Sequence, residues 1–106
     1  MDLDKKKISE ELGIPGDMYD ELLRDFAAQA EAVLPQLEAA ILAKDFQSIA
    51  ERGHFIKGSS GNLRIQELYA IAKEIECGGK EGKDLGAIQA HAESFKRAFE
   101  ELKKII

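Results

Sequence analysis

HFIKGSSGN, residues 54–62, is the stretch on which the fold turns. With Gly53 just before it, it brings three glycines into nine positions of a chain that otherwise reads as helix after helix. Each glycine inside a helix costs roughly 1 kcal/mol against alanine. Yet Phe46, Ile49, Ala50, Gly53, Ile56, Ser60 and Leu63 recur at steps of three and four, the spacing of one face of an α-helix. Asp45 stands where an N-cap would. The stretch therefore reads as the second half of a helix beginning after Asp45, weakened where the one centrally placed histidine sits.

Outward from it, four further helices follow from the same spacing. A short one is expected after Asp4, with Ile8 and Leu12 on one side, stopped by Gly13-Ile14-Pro15. The next is expected after Asp17, with Tyr19, Leu22, Leu23, Phe26, Ala30, Val33, Leu34, Leu37 and Ile41 as its stripe. Pro35 interrupts that stripe and predicts a kink near residues 32–34, or two nearly collinear helices. Beyond the quoted stretch, a helix from about Ile65 to Cys77 would turn Leu68, Tyr69, Ala72 and Ile75 inward. Residues 78–83, GGKEGK, read as a flexible loop. The last helix follows Asp84, with Leu85, Ile88, Ala92, Phe95, Phe99, Leu102 and Ile106 on its stripe. The expected fold is all-α: an up-and-down four-helix bundle with a short extra N-terminal helix, one domain over residues 1–106.

Composition agrees with a small globular domain, at 106 residues with 44% apolar and 33% charged residues. No apolar run is long enough to span a membrane, and MDLDKKKISEEL lacks the apolar core of a secretory signal. One cysteine, Cys77, excludes an internal disulfide, fits a reducing cytoplasm, and is expected to be a buried, inert thiol. Net charge is −5 and unevenly spread: residues 1–45 carry five basic against eleven acidic residues, residues 51–64 three against one. An acidic balance argues against nucleic acid, which needs a broad basic face. The small positive island around His54 suits an acidic partner or a phosphate.

His54, Lys57, Gly58 and Gly61 share one face of the third helix, away from its apolar stripe. An imidazole, a cation one turn on, then bare backbone is an unusual surface, because an exposed face ordinarily carries Glu, Lys or Gln. Missing side chains make sense if another surface must approach the ring. Phosphoryl transfer with the imidazole as carrier fits: neutral imidazole is nucleophilic at physiological pH, and Lys57 can offset phosphoryl charge.

These residues carry a resemblance. His54-Phe55-Ile56-Lys57-Gly58-Ser59-Ser60-Gly61-Asn62-Leu63 resembles the histidine-containing phosphotransfer (HPt) domains of multi-step phosphorelays: His, two residues, Lys-Gly, two small residues, then Leu. Phe26, Leu37 and Glu76 also fall at expected places. The resemblance implies His54 as phosphoacceptor through Nε2, Lys57 as electrostatic assistance and Gly58 as clearance. Glu76 falls where some members have Gln and would orient the ring. The implied partners are response-regulator receiver domains and a hybrid or sensor histidine kinase, with a monomeric carrier rather than an enzyme. No cofactor or metal is expected in this chain, Mg²⁺ being expected in the receiver. Arg64 departs from the family's usual Gly after the Leu, and Gly53 from its usual Ala, which predicts a looser helix beside the histidine. Arg52, Phe55 and Arg64 are candidate receiver contacts.

Plainer readings stand beside these. His91, with no glycine gap or cation near it, reads as a solvated edge residue, and Ser60 as a small core residue. His54, Cys77 and His91 lack ligand spacing for a metal. Two other functions fit the sequence: the phosphoacceptor domain of a chemotaxis-type histidine kinase, or a helical adaptor without chemistry.

Overall fold

A computed structural model describes all residues, 1–106. It contains five helices and no strand: α1 (Lys5–Leu12), α2 (Gly16–Leu42), α3 (Phe46–Asn62), α4 (Gln66–Glu81) and α5 (Leu85–Lys103). The caps are local chemistry. Asp4, Asp45 and Asp84 each accept the backbone N–H three residues on, at Lys7, Ser48 and Ala87. Gly13 and Gly82 close α1 and α4 in the left-handed region, at φ +71° and +67°.

α2 starts at Gly16, not after Asp17. Pro15 supplies the cap position in extended backbone, and its carbonyl takes the Tyr19 N–H at 3.1 Å. Asp17 instead lies in the first turn, where a carboxylate favours the helix dipole. One continuous helix runs through Pro35, which sits on the exposed side, where water can solvate the carbonyl that proline leaves unbonded.

One core of 22 buried apolar residues joins α2 to α5. Phe26 of α2 meets Phe99 edge-on, 6.3 Å between centroids, and Phe95 stacks on Phe99 at 6.4 Å. At one end of the bundle the buried Tyr19 hydroxyl donates to the Leu63 carbonyl at 2.6 Å, tying the start of α2 to the end of α3. At the other, Arg52 donates to Gln36 Oε1 at 3.0 Å. The two helices are thus antiparallel neighbours. Two expected core positions lie outside it: Leu22 and Tyr69 are exposed.

The expected loop at residues 78–83 is largely helix. α4 continues through Gly78 and Gly79 to Glu81 because both glycines are packing positions. A Cβ on Gly79 would lie 2.5 Å from the backbone nitrogen of Ala50, and one on Gly78 2.7 Å from Ile88 Cγ1. Gly53 is the mirror case on α3, where a Cβ would stand 2.7 Å from the Glu76 nitrogen. The helix is not loosened there. α3 and α4 cross with backbones in contact, and only glycine permits it. Cys77, expected buried, is exposed on the outer side of this crossing.

Candidate functional site

The crossing brings Glu76 of α4 under His54 of α3. The His54 side chain is 70% exposed, and its Nδ1 lies 2.8 Å from Glu76 Oε2. Glu76 itself is buried, its side chain 5% exposed. Lys57 Nζ reaches the other oxygen, Oε1, at 2.5 Å, and Lys80 Nζ approaches Oε2 at 3.3 Å. The Lys57 bond chiefly holds the Glu76 carboxyl at about 2, against burial, with His54 and Lys80 adding to the effect. The same bond raises Lys57, against desolvation. An ionised carboxylate can only accept, so the contact keeps hydrogen on Nδ1 of a neutral ring. That leaves the lone pair on Nε2.

The three glycines of the motif region have three different reasons. Gly53 permits the close approach of α4 that carries Glu76 to the ring. Gly61 accommodates Tyr69, whose Cδ2 would lie 2.9 Å from an added Cβ. Only Gly58 has nothing within 4 Å of the place a side chain would occupy. Clearance for an incoming surface therefore rests on Gly58, and the expected bare face is narrower than the sequence suggests. Ser60 is fully buried and donates to the Ile56 carbonyl at 2.6 Å, the small core residue expected of it.

His54, Lys57, Gly58 and Glu76 come together, and the remaining candidates stand around them. Phe55 is 42% exposed, and Arg52 is engaged with Gln36. Arg64 lies farther off, at the α3–α4 turn with φ +60°, where its guanidinium meets Glu11 of α1 at 3.6 Å. It shares with Lys57, Gly58, Gly61 and Tyr69 an open groove of about 630 Å³. Its left-handed backbone accounts for the glycine that commonly fills this position in the resembled family. Lys80 is the site residue that sequence reasoning missed. Its Glu76→Lys80 spacing of four was a readable signal, but only in a helix that continued past Gly78-Gly79. No group of three or more His, Cys, Asp or Glu is placed to hold a metal ion, and no helix is long and apolar enough to cross a membrane.

Three comparisons bear on this arrangement. The sequence model of the Hpt domain matches residues 21–104. The crystal structure of histidine-containing phosphotransfer protein B from Pseudomonas aeruginosa PAO1 superposes with a TM-score of 0.85 at 29% identity, over 97% of this chain and 89% of that one. "Multistep phosphorelay regulator 1" of Schizosaccharomyces pombe is 33% identical over 52 residues, 49% of this chain. The matched stretch spans 18% of that relative's length.

Proposed function

The chain belongs to the Hpt domain family of phosphorelay intermediates, and from that premise we propose that His54 is the residue that carries the phosphoryl group. The observation that supports this reading is the ring held by a buried, ionised carboxylate on Nδ1 while exposed at Nε2. In the transfer, the Nε2 lone pair forms an N–P bond as the P–O bond to the donor aspartate breaks and its carboxylate leaves. The hydrogen on Nδ1 stays, and Glu76 faces the positive charge the ring acquires. The reverse step, onto an acceptor aspartate, regenerates the neutral ring.

Lys57, one turn from His54, would neutralise phosphoryl charge, and Gly58 would admit the donor's active-site surface. Mg²⁺ belongs to the receiver in this scheme, and the chain acts as a monomeric stoichiometric carrier rather than an enzyme that turns over. The receiver would dock on the exposed Phe55 beside His54, together with exposed residues of the antiparallel α2. Arg52 stands at one edge of this surface, and Arg64 at the turn is a basic contact of second rank. A single free thiol suits a reducing, cytoplasmic setting.

Intact-mass analysis after mixing the chain with phosphorylated receiver domains and Mg²⁺ tests the reading. One phosphate, acid-labile and alkali-stable, should appear on the native chain and be absent from His54→Gln. No gain from any receiver, with a gain from an ATP-loaded kinase domain, would instead make this the phosphoacceptor domain of a chemotaxis-type kinase. No gain from either donor would leave a helical adaptor.

A further inference from the structure

Two lysines share one buried carboxylate beside His54. Lys57 holds Glu76 Oε1, while Lys80 stands at Oε2, the oxygen that also faces His54 Nδ1. Two full cations against one carboxylate leave the cluster positive before any phosphate arrives. A phosphoryl group on Nε2 adds between one and two negative charges near pH 7. Lys57 is the nearer cation along α3, but to serve the phosphoryl oxygens it must leave an oxygen to which it is bonded at 2.5 Å. With no second cation at hand, taking Lys57 from this buried carboxylate would be strongly unfavourable. The transfer step needs that carboxylate ionised at the same moment, because the ring turns cationic as the N–P bond forms.

We infer that Lys80 is a positioning residue for phosphoryl transfer: it keeps Glu76 ionised and seated on His54 Nδ1 while Lys57 turns from Glu76 to the phosphoryl group. The inference rests on the reading of His54 as carrier. The geometry suits an exchange of counter-ions. Lys80 is 67% exposed, so its head moves at little cost, and its looser 3.3 Å contact can tighten when Lys57 departs. It reaches Glu76 only because α4 runs on through Gly78 and Gly79, placing residue 80 one turn beyond residue 76 in the favourable Glu-before-Lys order. An ordinary exposed pair of this spacing contributes little. Here one partner is buried under the reacting ring, so the effect appears in the reaction rather than in stability.

The test uses the full chain and phosphoramidate, which phosphorylates imidazole nitrogen directly with loss of ammonia, so no cognate receiver is needed. Loading of His54 is followed by intact mass and ³¹P NMR. Lys80→Met should load about three- to tenfold more slowly than the native chain, and Lys80→Arg should restore the rate to within about twofold. Because Lys80 acts through Glu76, adding Lys80→Met to Glu76→Gln should change the rate by less than about 1.5-fold. Unchanged thermal unfolding of Lys80→Met would separate this from a structural defect. Loading by Lys80→Met at the native rate would overturn the inference, and so would a loss that persists in full when Glu76 is already glutamine. A native chain that takes no phosphate on His54, judged against His54→Gln, would sink the carrier reading itself, and this inference with it.

Discussion

Gly53 and Gly58 are five residues apart in one helix, and the same substitution at each should have opposite consequences. A methyl at Gly58 meets nothing within 4 Å and removes the conformational cost of glycine. Gly58→Ala should therefore raise stability by up to about 1 kcal/mol. It should also slow phosphotransfer from a receiver, because the side chain stands where the partner must come. At Gly53 the methyl would enter the backbone of Glu76 at 2.7 Å. Gly53→Ala should cost about 1–3 kcal/mol and displace Glu76 from the ring. Thermal denaturation and initial transfer rates of the two variants decide both points. Transfer by Gly58→Ala at the native rate would remove the clearance argument.

Among the elements, the starts of α1, α3 and α5 were legible to the residue, because an aspartate cap and a stripe agree at each, whereas α5 ends at Lys103, three residues short of the Ile106 to which its stripe ran. The end of α4 was not legible. Gly78-Gly79 carries the local signature of a loop, and nothing within the helix says that Ala50 of α3 needs the space. Intrinsic propensity and tertiary packing oppose one another there, and packing prevails. The error had a chemical cost, since it hid Lys80. By contrast, the His54, Lys57 and Gly58 part of the site was readable, because those residues lie within one turn of a single helix. Tyr69 and Leu22 show the limit of a stripe: it marks a helix face well but not where its edge meets solvent. The turns carry their own signature. Lys44, between α2 and α3, has φ +57°, a conformation glycine adopts without strain. Lys44→Gly should stabilise the chain by about 0.5–1 kcal/mol, partly offset by the freedom glycine has when unfolded. A lowered melting temperature would contradict that account of the turn.

For the whole molecule, two groups bound the range of pH in which the bundle is stable. Glu76 is depressed to about 2 in the folded chain, so its contribution is fully present above its ordinary value near 4.5 and is lost as pH falls through about 2. Tyr19 is raised to about 12, first by burial and then by the charge of Asp20. Its contribution is fully present below its ordinary value of 10 and disappears as pH rises through about 12. Urea unfolding monitored by circular dichroism should show stability falling in both windows. Glu76→Gln should flatten the acid limb and Tyr19→Phe the alkaline limb. Tyr19→Phe should also cost about 1 kcal/mol at neutral pH, because the Leu63 carbonyl loses its partner. A variant that leaves its limb unchanged would show that another group governs it.

The backbone contact between α3 and α4 has a consequence in time as well as in space. These two helices are sequence neighbours joined by a tight turn, whereas Phe26 and Phe99 close a loop of most of the chain. Loop closure favours the nearer pair, so the α3–α4 hairpin should form first and template the docking of α2 and α5. Stopped-flow refolding can separate the two steps. Gly79→Ala should chiefly retard folding, and Phe99→Leu should chiefly hasten unfolding. The reverse pattern would place the nucleus elsewhere. If the order holds, the crossing that seats the carboxylate beneath the imidazole is assembled before the rest of the bundle closes around it.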